Sequence, residues 1–133
     1  MTPTSRTLKY YRDQGYLIEV VERWIEKAGI WNDLFSIIDC VAIQLDGPII
    51  GVQSTVASCM PARICKAKNV PALRTWLSTG ARFVVIGWGK REGRWVPRVE
   101  EIGLDECGGI EVEIIERPKR KRPKSRWKEA ELF

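Results

Sequence analysis

The sequence predicts an α/β domain with a mixed central sheet, and three observations carry that prediction. A helix-forming segment opens the chain, three strand-forming segments follow in succession, and a helical stretch separates a hairpin from the next long strand. Consecutive strands favour an antiparallel meander. A helix between strands permits a crossover to a parallel neighbour.

Residues 4–14 read as a short helix, with Thr4 or Ser5 as its cap and Gly15 as its stop. Residues 16–25 are rich in β-branched and aromatic side chains and read as a strand. A helix competes there, because Glu22, Arg23, Glu26 and Lys27 also suit a helical surface. Residues 29–33 form a connection. Residues 34–45 and 48–57 are apolar runs joined at Asp46-Gly47, a dipeptide suited to a hairpin turn.

Residues 60–80 are helical, with Pro61 at the start, Gly80 as the stop, and an apolar stripe of Ile64, Leu73, Trp76 and Leu77. Asn69 and Pro71 break this stretch into two helices or kink one. Residues 82–89 and 94–102 are strands around a turn at 90–93, and Pro97 argues that the second lies at a sheet edge. A loop at 103–109, a short strand at 110–115 and a basic tail at 117–133 complete the chain. The expected organisation is one domain over residues 1–116 followed by the tail, read as flexible.

At 44% hydrophobic and 29% charged residues, the composition is that of a soluble globular domain. No segment approaches the roughly 20 apolar residues of a membrane helix, and the N-terminus lacks signal-peptide character, so the expected location is the cytoplasm. The net charge of +5 is unevenly placed. Arg117, Lys119, Arg120, Lys121, Arg122, Lys124, Arg126 and Lys128 follow one another with no acid among them. With these, Glu129 and Glu131 set aside, 14 basic residues face 15 acids. The body is therefore near neutral, and the tail is either a nucleic-acid-binding arm or a solubilising extension. Trp127, within the basic run, could add stacking on an exposed base.

The four cysteines form no Cys-x-x-Cys pair and histidine is absent, which argues against a structural zinc site and removes Ser-His and Cys-His catalysis. Cys40 reads as a small buried hydrophobe. Any catalysis must use carboxylates, lysine or an oxygen-ligated metal.

Asp39 stands out. It interrupts an apolar run, where an ionised carboxylate must be paired, hydrogen-bonded, metal-bound or neutralised. Gln53 and Thr55, two apart on the partner strand, share a face. An acid beside such a polar pair is the skeleton of a metal-dependent nuclease site; the plainer reading is a strand-end Asp bonded to backbone amides.

The stretches Asp33-Leu-Phe-Ser-Ile-Ile-Asp39 and Gly51-Val-Gln-Ser-Thr55, with Ala62-Arg-Ile-Cys-Lys66, Ala72-Leu-Arg-Thr-Trp-Leu77 and Gly87-Trp-Gly-Lys90 ahead of Arg94-Trp95, resemble the PD-(D/E)XK nuclease superfamily. Within it, the likeness is to small phage and bacterial proteins of the Holliday-junction-resolvase-like and VRR-NUC types. It spans about residues 5–102 and rests mainly on motif order and spacing. It implies a restriction-endonuclease-like αβββαβ core, a Mg2+ or Mn2+ cofactor, and cleavage of branched or structured DNA such as Holliday junctions. It also implies a homodimer, since two strands must be cut symmetrically.

Mapped onto this chain, Asp39 and Gln53 are the implied metal ligands, and Thr55 occupies the position of the family lysine. A hydroxyl does not replace that positive charge, and Gln in place of Glu weakens a magnesium site. The resemblance leaves Lys66 to reach back into the site and Glu22 to supply the missing carboxylate; Lys66 or Lys90 would stabilise charge on the phosphate. A catalytically silent DNA-binding protein of the same fold is the alternative, and a small RNA- or protein-binding module with a purely structural Asp39 is a third. Trp24, Trp76, Trp88 and Trp95 are read as core or sheet packing. Arg82, Arg91, Arg94 and Arg98 form either a basic patch or a solvated face.

Overall fold

The computed structural model describes residues 1–118; the tail residues Lys119, Arg120, Lys121, Arg122, Lys124, Arg126, Trp127 and Lys128 lie outside the described residues. Helix α1 (Pro3–Asp13) is capped by Thr2, whose hydroxyl accepts from the Ser5 amide, and not by Thr4 or Ser5. Pro3 sits in the first turn, where its missing N–H costs nothing. Gly15, at φ +90°, closes the helix as expected.

The run at 16–25 is two strands, β1 (Leu17–Val20) and β2 (Arg23–Ile25). The supposed connection at 29–33 contains β3 (Ile30–Asn32), which pairs only with β2 in a separate two-stranded ribbon. Strand β4 (Cys40–Ile43) is shorter than the apolar run that holds it. Residues 34–38 instead turn tightly: Phe35 and Ser36 take positive φ, and Leu34 bridges Ile38. The apolar character of this stretch comes from Ile37 and Ile38, which turn inward and are buried.

The remaining elements follow the sequence reading closely. They are β5 (Ile50–Val56), α2 (Met60–Lys68), α3 (Pro71–Ser78), β6 (Arg82–Arg91), β7 (Arg94–Leu104) and β8 (Ile110–Glu116). The break between α2 and α3 falls at Asn69–Val70, as Pro71 requires. Strand β7 extends two residues into the expected loop, and β8 pairs with it, so β7 is not the edge strand. Pro97 is tolerated because β8 pairs only with residues 99–104 of β7, which leaves the Pro97 stretch open on that side.

The main sheet has the order β1-β4-β5-β6-β7-β8, antiparallel throughout except for the parallel β5–β6 pair. Helices α2 and α3 make the crossover between those two strands. Alternation along β5 sends Ile50, Val52 and Ser54 to one face and Gly51, Gln53 and Thr55 to the other. On the first face α1 packs through Tyr11 over Val52, Ile86 and Trp88. On the second, α2 and α3 pack Met60, Ala67 and Leu73 over Ile38, Phe83, Val85 and Ile102.

A buried polar triad ties α1 to the sheet. The Trp88 Nε1–H donates to Thr7 Oγ1 at 2.9 Å, and the Thr7 and Ser54 hydroxyls lie 2.7 Å apart. Thr7→Val keeps the volume but strands a buried indole N–H and a buried hydroxyl. The expected cost is about 1–3 kcal/mol of unfolding free energy, with Thr7→Ser close to wild type in the same urea titration.

A candidate acidic metal centre

Asp39 immediately precedes β4 and extends its ladder on both sides. Its amide donates to Val52 O at 2.9 Å, and its carbonyl accepts from Val21 N at 2.8 Å. The side chain lies on the α2–α3 face, where Oδ2 accepts from Gln53 Nε2 at 2.8 Å and from the Ser54 amide at 2.9 Å. The plainer sequence reading, a backbone-bonded strand-end Asp, is thus satisfied in part. Gln53 turns its amide nitrogen to Asp39, so the pair is brought together as donor and acceptor.

The rest of the site comes from the ribbon. β2 and β3 pair Arg23 with Asn32, Trp24 with Trp31 and Ile25 with Ile30. Extending that register by one residue sets Glu22 opposite Asp33 at the foot of the ribbon. Carboxylate oxygens of Glu22, Asp33 and Asp39 lie within 4.8 Å of one another. Sequence reasoning proposed Glu22 from a preceding strand; it sits between β1 and β2. Asp33 was missed as a ligand. Its signal was present in the two acids that bracket a short hairpin, but it becomes visible only once the ribbon's register is known.

Three carboxylates at this distance cannot all be ionised cheaply. Burial, a hydrogen bond with Asp33 and the neighbouring negative charges of Asp33 and Glu22 push the Asp39 pKa up to about 8, against the opposing pull of the Ser54 amide. Burial and then Asp33 likewise raise Glu22. A hydrogen bond between two carboxyl groups needs a proton, and the upward shift of Asp39 favours keeping one there. A divalent cation relieves the same repulsion in the proton's place, and hard oxygen donors suit Mg2+ or Mn2+. The donor set therefore fits such an ion, with Glu22, Asp33 and Asp39 as the groups that would hold it.

The other sequence candidates fall elsewhere. Thr55 is buried on the same face, two residues beyond Gln53. Lys66 is exposed on α2, whose buried positions are Met60 and Ala67. Lys90 alternates with Ile86 and Trp88 toward the α1 face, opposite Asp39, and lies 5.9 Å from the Trp95 ring. The arginine patch is partly spent in ion pairs: Arg82 with Glu101, and Arg98 Nε with the buried Glu100 at 3.0 Å. Trp88 is core and Trp76 half-buried, but Trp24 and Trp95 are exposed, against the packing role expected of them. Among the described residues no helix is long and apolar enough to cross a membrane.

Comparison with known proteins finds no matching family model, no similar curated protein and no similar solved structure.

Proposed function

We propose that this chain is a metal-dependent endonuclease that hydrolyses phosphodiester bonds in DNA, with branched or structured DNA such as a Holliday junction as its substrate. The observation that carries the reading is the convergence of Glu22, Asp33 and Asp39, whose carboxylate oxygens lie within 4.8 Å of one another. The mixed α/β sheet is compatible with it: a helix, the antiparallel β1-β4-β5 with the β2–β3 ribbon inserted after β1, a helical crossover and a parallel β6 follow in that order.

A cation held by Glu22, Asp33 and Asp39 would supply polarisation of the phosphate and lower the pKa of a water. The chain's own residues prepare the site. The Gln53 amide and the Ser54 N–H hold the Asp39 carboxylate plane in place. Burial of Asp39 limits screening of its own carboxylate by bulk water, while Glu22 and Asp33 stay partly exposed.

A second reading is favoured by Thr55, a hydroxyl where the resemblance places a lysine, together with the exposure of Lys66. Under it the chain binds DNA without cutting. Labelled single-stranded, duplex, flap and four-way-junction DNAs, incubated with Mg2+ or Mn2+, separate the two. Metal-dependent cutting by wild type that disappears in Asp39→Ala is the expected result. Salt-sensitive binding without cutting, indifferent to Asp39→Ala, would instead establish the silent form.

A further inference from the structure

The ribbon that supplies two of the three carboxylates also carries the most exposed tryptophans among the described residues. Trp24 and Trp31 face each other across β2 and β3 with ring centroids 5.4 Å apart and planes at 59°. They remain 48% and 62% exposed, and Ile30 beside them is 53% exposed. A two-stranded ribbon is marginal in water, so a cross-strand tryptophan pair serves to hold it together. That explains the contact between the rings but not the faces left open to solvent, since large aromatic surface is costly to expose without use.

Position narrows the use. Trp24 and Trp31 stand two residues from Glu22 and Asp33, a backbone rise of about 7 Å. Arg23 and Lys27 are exposed on the same ribbon, with Glu26 between them, so two cations beside the ring pair can meet backbone phosphates. We propose that the β2–β3 ribbon is a stacking arm that holds unpaired nucleotides of a DNA strand on the Trp24–Trp31 pair, beside the carboxylate cluster. The inference rests on the nuclease reading for the choice of DNA, and it deepens that reading: the preferred substrates are those with single-stranded or frayed segments at the branch. Stacking accepts any base, because every base has a π face, so the arm selects strand state and not sequence.

The test is binding by the full chain, in EDTA so that no cutting occurs, to a labelled single-stranded oligonucleotide and to a duplex of equal length. Trp31→Ala and Trp24→Ala are each expected to weaken single-strand binding about tenfold or more while duplex binding changes less than threefold. Trp31→Phe is expected to retain most of the affinity. Because an alanine variant can unravel the ribbon, wild-type protein is also photo-crosslinked to the same strand carrying 5-iodouracil. Adducts mapped to Trp24 or Trp31 support the arm.

Equal loss on single strand and duplex, or adducts confined to Trp127 and other sites, would overturn it. So would a tryptophan variant whose main change is loss of self-association in sedimentation, which would make the ribbon a contact between two copies. The two readings fail separately. Asp39-dependent cutting with unaltered single-strand binding in the tryptophan variants removes the arm alone. Tryptophan-dependent binding without any cutting removes the nuclease alone.

Discussion

Asp39→Asn is expected to abolish metal-dependent cutting while making the metal-free protein more stable than wild type at pH 8. Asparagine copies the shape of the protonated side chain. Its oxygen can accept from Gln53 Nε2 and Ser54 N as the Asp39 oxygen does, and its amide can donate toward Asp33. It cannot become the anion that a cation needs.

The sign of the stability effect follows from linkage. The folded-state pKa of Asp39, about 8, lies above the ordinary 3.8 of the unfolded chain. The folded state therefore retains a proton that the unfolded state has lost. This group's contribution is fully present below about pH 4 and declines as pH rises toward 8. The decline is at most about 1.4 kcal/mol for each pH unit. Asparagine removes the decline, so the two proteins should converge at low pH and separate as pH rises.

Magnesium should raise the wild-type unfolding midpoint at pH 8, and less at pH 6, because it competes with the proton. It should leave the asparagine variant unmoved. Thermal unfolding at three pH values, with and without 10 mM Mg2+ (about that concentration suffices for a millimolar site), checks both parts. An equal magnesium shift in wild type and variant would remove Asp39 from the ion site.

The second large effect concerns the seat of α2. A Cβ placed on Gly87 would lie 2.3 Å from both Cγ and Sδ of Met60 and 3.0 Å from the Ala57 Cα. Met60 is fully buried at the start of α2, so it cannot swing into solvent. Gly87 is also the β6 residue opposite Thr55, so α2 touches the sheet in the row next to Gln53.

Gly87→Ala is expected to destabilise the fold by about 3 kcal/mol, at the upper end of overpacking, because a backbone atom as well as a side chain is in the way. Met60→Ala alone opens a cavity and costs about 2–5 kcal/mol. The double variant should be less destabilised than the two losses added, by more than about 1 kcal/mol, since the new methyl occupies space that the methionine has left. Simple additivity in urea titrations would show that the helix relieves the clash by shifting as a body.

Much of this arrangement was legible in the chain. Gly15, Pro61, Asn69, Pro71 and Gly80 punctuate the helices through constraints that act within a few residues. The hairpin at Asp46-Gly47 followed from turn chemistry, and the shared face of Gln53 and Thr55 from two-residue alternation. The resemblance set Gln53 beside Asp39 as a fellow ligand, while the structure has it as a hydrogen-bond donor. The cost of a carboxylate in an apolar run marked Asp39 before any geometry was known.

Other features depend on contacts distant in sequence. A three-residue strand such as β3 carries too short a pattern to be distinguished from a connection, and only its pairing with β2 defines it. Asp33 joins Glu22 and Asp39 because that pairing folds residues 22–33 back on themselves. Lys90 is excluded from the site because strand alternation sends it to the α1 face, and which face holds the acids was set by packing of α2 and α3. Sequence by itself determined the punctuation of the elements, the mixed α/β class and the one acid that had to be explained. Tertiary structure alone decided which other acids stand beside it, because register and facing are properties of paired strands and not of either strand alone.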